Sequence, residues 1–177
     1  MPSESWEHTL NYGMKEKLLA SNLGSSVEHA KEIMDKYLDR SPAGKRFYAR
    51  AIETTRASGG YAFSLLGRRR HLPNIDSHLD FERFRAERQA SNMEVQGSAA
   101  DIVRLAMLAI DDTDVEGRYG AEMVLQVHDE LLFECPDETA VAANEEIKLW
   151  MSNSLPSDPE VAFTTSGSIT DNWADAK

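Results

Sequence analysis

The sequence predicts an α+β fold, and three observations carry that prediction. Apolar residues recur at helical spacing in several segments, two apolar runs fold back across tight polar turns, and no repeat or Pro/Gly/Ser-rich linker divides the 177 residues. One domain over 1–177 is therefore expected.

The first helix is expected near Ser25, which has capping-box spacing to Glu28. Val27, Ala30, Met34, Tyr37 and Leu38 follow on one face. Pro42, with Ser41 before it, opens a second helix, and Gly59-Gly60 should end it. Tyr61 to Leu72, YAFSLLGRRRHL, reads as a hairpin with Gly67 in its turn. From Phe81 to Ile110 the pattern is helical, with Gly97 as its breaking point. The second part, AADIVRLAMLAI, is apolar nearly all round and is expected to be buried. Asp111, Asp112 and Asp114 then fall in a loop. AEMVLQV and ELLFE form an antiparallel hairpin joined at His128-Asp129. A helix from Glu138 to Asn153 should face Ala140, Ala143, Ile147, Trp150 and Met151 inward. Pro156 and Pro159 end it, and VAFTTSGSI reads as a final strand.

Composition narrows the function classes. No apolar run reaches the length of about 18 residues that a membrane helix needs. MPSESWEH has neither the basic nor the apolar segment of a signal peptide, so a cytoplasmic setting is expected. Cys135 is the only cysteine, which excludes an internal disulfide and a cysteine-cluster metal site. The net charge of −11 argues against a simple nucleic-acid coat. The charge is unevenly spread, however: Arg68, Arg69, Arg70, Arg83, Arg85 and Arg88 crowd the centre, and the acids are heaviest after Asp111. Such a pattern suits a protein that grips a polyanion in one place and holds cations in another; it equally describes a solvated surface.

Two constellations carry chemistry. Val127-His128-Asp129-Glu130 places an imidazole and two carboxylates between apolar strands, where a tight turn would prefer Asn-Gly or Asp-Gly. A carboxylate fixed at a strand end is a good ligand for a hard cation. By itself the tetrapeptide favours the plainer reading, a polar turn whose Asp caps its own backbone. Arg88, Asn92 and Gln96 are spaced four apart and share one helical stripe. Their donors match the purine N3 and pyrimidine O2 acceptors that every base pair shows in the minor groove. A polar stripe is more commonly a solvent-facing side.

Taken together and in order, these segments resemble the C-terminal region of family A (bacterial DNA polymerase I-like) DNA polymerases. The matching pieces are Tyr12-Gly13-Met14, LGRRRHLPNI at 66–75, AERQASNMEVQGSAADI at 86–102, LQVHDELLFE at 125–134 and the terminal DNW at 171–173. The resemblance implies the palm of a right-hand polymerase with part of the fingers: remnants of fingers helices over 1–60, and a palm-side portion over 61–177. It further implies that Asp129 is the metal-binding motif C aspartate, with Glu130 beside it and His128 near the primer terminus. Arg88, Asn92, Gln96, Arg68, Arg69 and Gln126 would contact DNA, and Tyr12 the nascent base pair. The implied reaction is template-directed nucleotidyl transfer from dNTP onto a DNA primer-template. It would use two Mg²⁺ ions held about 3.5–4 Å apart.

The chain departs from that pattern as well. No DYSQIE-like motif A, which supplies the other metal-binding aspartate, occurs in it. Glu4 stands where the fingers-helix lysine would fall, the arginine position lies off the chain, and the thumb is missing. The isolated chain is therefore expected to be inactive and to work with a second polypeptide that supplies motif A, the fingers helix and the thumb. Met1 followed by a segment unlike a fingers helix implies a separate start, of the kind a virus such as a phage or a mobile element encodes. The alternative is a non-catalytic DNA-binding replication accessory protein that keeps the palm fold, and a third account is a relic without function.

Overall fold

The computed structural model describes residues 16–40, 42–155 and 160–175, and these divide between Gly97 and Ser98 into two compact units. Tyr12, Glu4, Ser41, Pro156 and Pro159 lie outside the described residues.

The first unit begins with α1 (Glu16–Leu23), α2 (Val27–Arg40) and α3 (Pro42–Ala57). Ser26, one residue later than the sequence suggested, caps α2, its Oγ accepting from the His29 amide at 3.2 Å. Ser25 instead lies in the bend after Gly24 and donates to the Ser26 carbonyl at 3.4 Å. Leu19, Ala20 and Ala30 form a small buried cluster, with Ile33, Met34 and Tyr37 packed against it. Pro42 does open α3, and Gly59 and Gly60 follow its end in left-handed backbone, with φ of 68° and 87°. The hairpin β1 (Tyr61–Phe63) and β2 (Arg69–His71) pairs Tyr61 with His71 and Phe63 with Arg69. Ala62 and Leu72 from this hairpin join Ile75, Ala86 and Ala90 in a second core. The last two come from α4 (Asp80–Asn92), which presents small residues where it meets the hairpin.

Gly97 does not break the helix. Residues Met93–Gly97 form one turn of π-helix, and α5 (Ser98–Asp112) follows directly.

The second unit holds α5, α6 (Val115–Tyr119), the hairpin β3 (Glu122–Val127) with β4 (Glu130–Glu134), and α7 (Asp137–Ser152). Ile110, Val115, Ala121, Ala143 and Ile147 form its buried centre, and Met123, Leu131, Phe133, Trp150 and Met151 pack around them. Three expectations are corrected here. Asp111 and Asp112 close α5 rather than entering a loop, and Asp114 caps α6 by accepting from the Gly117 amide at 3.2 Å. The apolar helix is not buried all round, since Leu108 is 60% exposed. VAFTTSGSI forms no strand: a strand needs a ladder partner, and among the described residues this segment has none. With two small antiparallel sheets among its helices, the chain is α+β as predicted. Among the described residues no helix is long and apolar enough to cross a membrane.

Candidate functional site

The carboxylates expected to matter stand at the tip of the β3–β4 hairpin. Val127 pairs with Glu130, which leaves His128 and Asp129 as a two-residue turn. Such turns require positive φ, usually from glycine; here His128 adopts φ 55°, a conformation costing an L-residue about 1–2 kcal/mol. Gln126 Nε2 donates to the His128 carbonyl at 3.1 Å and holds the turn from one side. His128, Asp129 and Glu130 are all exposed.

A register shift between Met123 and Leu125 makes Val124 a bulge. The bulge lets Met123 pair with Phe133 on the core side while Leu125 pairs with Leu132 on the other side. Alternation along β4 puts Glu130 on the side of Leu132, away from the core-packed Leu131 and Phe133. Leu125 on that outer side remains 42% exposed.

Among the described residues, no group of three or more His, Cys, Asp or Glu side chains is placed to hold a metal ion. Asp129 and Glu130 nevertheless offer the hard oxygen donors that Mg²⁺ prefers, one or two at a time. They fit part of a shared cation site and need further oxygens from elsewhere.

The basic constellation lies in the first unit. Arg88 on α4 and Gln96 in the π turn are exposed, and Asn92 between them is half-buried. Arg69 and Arg70 are exposed on β2, and the Arg69 guanidinium sits 5.3 Å from the Tyr61 ring centre. Tyr61 in turn stacks on His71 with ring centres 4.7 Å apart. Arg68, expected to contact DNA, donates from Nη2 to the Gly97 carbonyl at 3.2 Å, tying the hairpin to the end of the π turn.

Most of the other arginines are held in ion pairs, although Arg40 and Arg46 have none among the described residues. Arg50 pairs with Glu94, Arg56 with Asp76 and Glu87, Arg83 with Asp80, Arg104 with Asp101 and Arg118 with Glu146. Among the described residues, Arg69, Arg70, Arg85 and Arg88 pair with no carboxylate, in a chain with 30 acids and 19 basic residues. Arginines left unpaired in so acidic a chain are available to an external anion.

The structure thus brings Arg68, Arg69, Arg88, Asn92 and Gln96 into one unit, and Gln126, His128, Asp129 and Glu130 into the other. Sequence reasoning missed Arg50 and Glu94, whose contact spans 44 positions and leaves no local signal. It also missed the Glu146 cluster. The Arg118 guanidinium, the Tyr119 hydroxyl (2.9 Å) and the Trp150 indole N–H (3.3 Å) all donate to this carboxylate. Hydrogen bonds from Arg118 and then Tyr119 hold the Glu146 carboxyl well below its usual range, at about 2.

Comparison with known proteins follows the same lines. The sequence pattern described as DNA polymerase family A matches residues 6–175. DNA polymerase I of Streptococcus pneumoniae strain TIGR4 is 38% identical over 167 residues, covering 94% of this chain and 19% of that protein. DNA polymerase I of Mycobacterium bovis is 44% identical over 131 residues, covering 74% of this chain and 14% of that protein. This chain spans about a fifth of the length of the curated relatives it matches. Among solved structures, it is similar to the POL domain of Pol1 from M. smegmatis, in complex with DNA primer-template and dNTP. The TM-score is 0.80 and the identity 36%, covering 86% of this chain and 27% of that one.

Proposed function

The chain belongs to DNA polymerase family A, and from that premise we propose that it is the C-terminal portion of a DNA-directed DNA polymerase, its palm with part of the fingers. The observation that carries this reading is Asp129, exposed beside a strained His128 at a two-residue turn and directly followed by Glu130. Backbone strain of this kind concentrates at working sites.

In this reading Asp129 and Glu130 contribute to a cation site that is completed by a carboxylate these 177 residues do not include. When bound there, Mg²⁺ supplies Lewis-acid activation of the primer hydroxyl and neutralises the charge developing on the transferred phosphate. The chain's own residues hold and orient. Gln126 fixes the turn so that Asp129 meets its cation without reorganisation. Arg88, Asn92 and Gln96 donate to minor-groove acceptors and sense pairing geometry without reading sequence. Arg69 and Arg70, free of carboxylate partners, grip the backbone phosphates, with Arg68 beside them. The exposed apolar Leu125 and the open edges of a two-stranded sheet suit pairing with another strand. The setting is cytoplasmic.

Primer extension tests the reading. The chain alone is expected to incorporate no nucleotide, and addition of a polypeptide bearing a motif A aspartate, a fingers helix and a thumb is expected to restore incorporation. DNA binding by the chain with no incorporation in any complemented mixture would favour an accessory role instead.

A further inference from the structure

The stripe Arg88–Asn92–Gln96 runs from an α-helix into a π turn, and the change of helix type alters where Gln96 points. In an α-helix each step of four residues overshoots a full turn by about 40°, so three residues spaced by four drift about 80° around the axis. A π turn, with i→i+5 bonding, takes more than four residues per turn. The same step then falls short of a full turn, and Gln96 rotates back towards the line of Arg88 and Asn92.

The turn is fixed from three sides, all within the first unit. Met93 packs on the core of Ala62, Leu72, Ile75, Ala86 and Ala90. Glu94 accepts from Arg50 Nη2 of α3. The Gly97 carbonyl accepts from Arg68 at 3.2 Å. A Cβ at Gly97 would stand 2.9 Å from Met93 Sδ and 3.0 Å from its Cε, with Ser64 Cβ at 3.5 Å, so the flexible end of Met93 would have to shift where it packs on the core. Isolated π turns are rare and occur often at functional sites.

We propose that the π turn Met93–Gly97 sets Gln96 in line with Arg88 and Asn92 for minor-groove contact, with Gly97, Glu94 and Arg50 as positioning residues. The inference rests on reading the stripe as a duplex contact, and adds what aligns it.

Coupling between positions tests it. Affinity of the 177-residue chain for a primer-template duplex is measured by fluorescence anisotropy, with matched and mismatched terminal pairs. Gln96→Ala is expected to weaken matched binding about two- to tenfold, the worth of one hydrogen bond. It should also narrow the matched-to-mismatched ratio. In a Gly97→Val background, Gln96→Ala should change affinity by less than about twofold, while Arg88→Ala keeps its full effect, which a general loss of structure would not allow. Should Gly97→Val fail to fold, Gly97→Ala combined with Glu94→Gln is the substitute background, with the same expectation. An undiminished Gln96→Ala loss in the altered background would overturn the positioning role alone. If Arg88→Ala, Asn92→Ala and Gln96→Ala all leave binding unchanged, the duplex reading falls and the proposal with it, a pattern distinct from additive losses.

Discussion

Gln126 donates its side-chain N–H to the His128 carbonyl at 3.1 Å, across a turn in which His128 holds φ 55°. The hydrogen bond and the strained backbone together fix the residue pair that presents Asp129. Histidine tolerates the left-handed region better than most residues, and β-branched side chains tolerate it least. His128→Val is therefore expected to lower unfolding stability by about 1–2 kcal/mol, and His128→Gly to leave it within about 0.5 kcal/mol, because relief of strain offsets the added freedom of the unfolded chain. Chemical denaturation of both variants checks this, and equal losses would show that the turn is not strained.

The acid limb of stability should report Glu146. Its folded-state carboxyl lies at about 2, depressed from 4.5 by hydrogen bonds from Arg118 and Tyr119. A depressed carboxylate stabilises above its unfolded value and loses that contribution as pH falls through the folded one. The Tm difference between the native chain and Glu146→Gln should be steady above about pH 4.5 and narrow progressively towards pH 2. A difference independent of pH across that window would contradict the assignment.

Asp114 caps α6 from a left-handed backbone, so its side chain and its φ of 54° act together. Asp114→Ala loses the cap and places alanine in a strained conformation, and should cost about 1–3 kcal/mol in denaturant unfolding. Asp114→Asn, which keeps the acceptor and tolerates positive φ, should cost less than about 0.5 kcal/mol. The ordering of the two variants is the test.

Salt dependence should separate the unpaired arginines from the paired ones. Arg70→Ala is expected to lower the slope of log affinity for duplex DNA against log salt by about 0.9, one phosphate contact. Arg83, occupied by Asp80 and by the Ser77 carbonyl at 3.1 Å, should leave the slope nearly unchanged when replaced by alanine. Equal slopes for the two variants would mean that ion pairing does not mark the DNA-facing side.

What the sequence made legible, and what it hid, follows from the range of the interactions involved. Both hairpins were readable because their strands and turns are contiguous in sequence, and the Val127–Glu130 pairing fell where the polar dipeptide placed it. The cap of α2 was off by one because Ser25 and Ser26 are chemically alike, and only geometry decides which hydroxyl reaches the His29 amide. Five-residue α6 was hidden because it is too short for periodicity to register. The π turn has no residue pattern of its own, and depends on Arg50 and Arg68, distant in sequence, to fix it. The arginine cluster stood out in the sequence, but which members are free of carboxylates depends on three-dimensional partners such as Asp80, which takes Arg83. The final segment carries strand-like residues without a strand, since residue type cannot supply a hydrogen-bonding neighbour.

The most direct measurement is single-turnover nucleotide incorporation by the complemented enzyme carrying Asp129→Asn. This change keeps the size of the side chain and removes its charge. The account predicts a loss of at least about 100-fold in the incorporation rate, with primer-template affinity unchanged within about twofold because Asp129 and the arginine stripe do separate work. Incorporation at the native rate by Asp129→Asn would contradict it, since the hairpin tip would then hold no essential cation ligand.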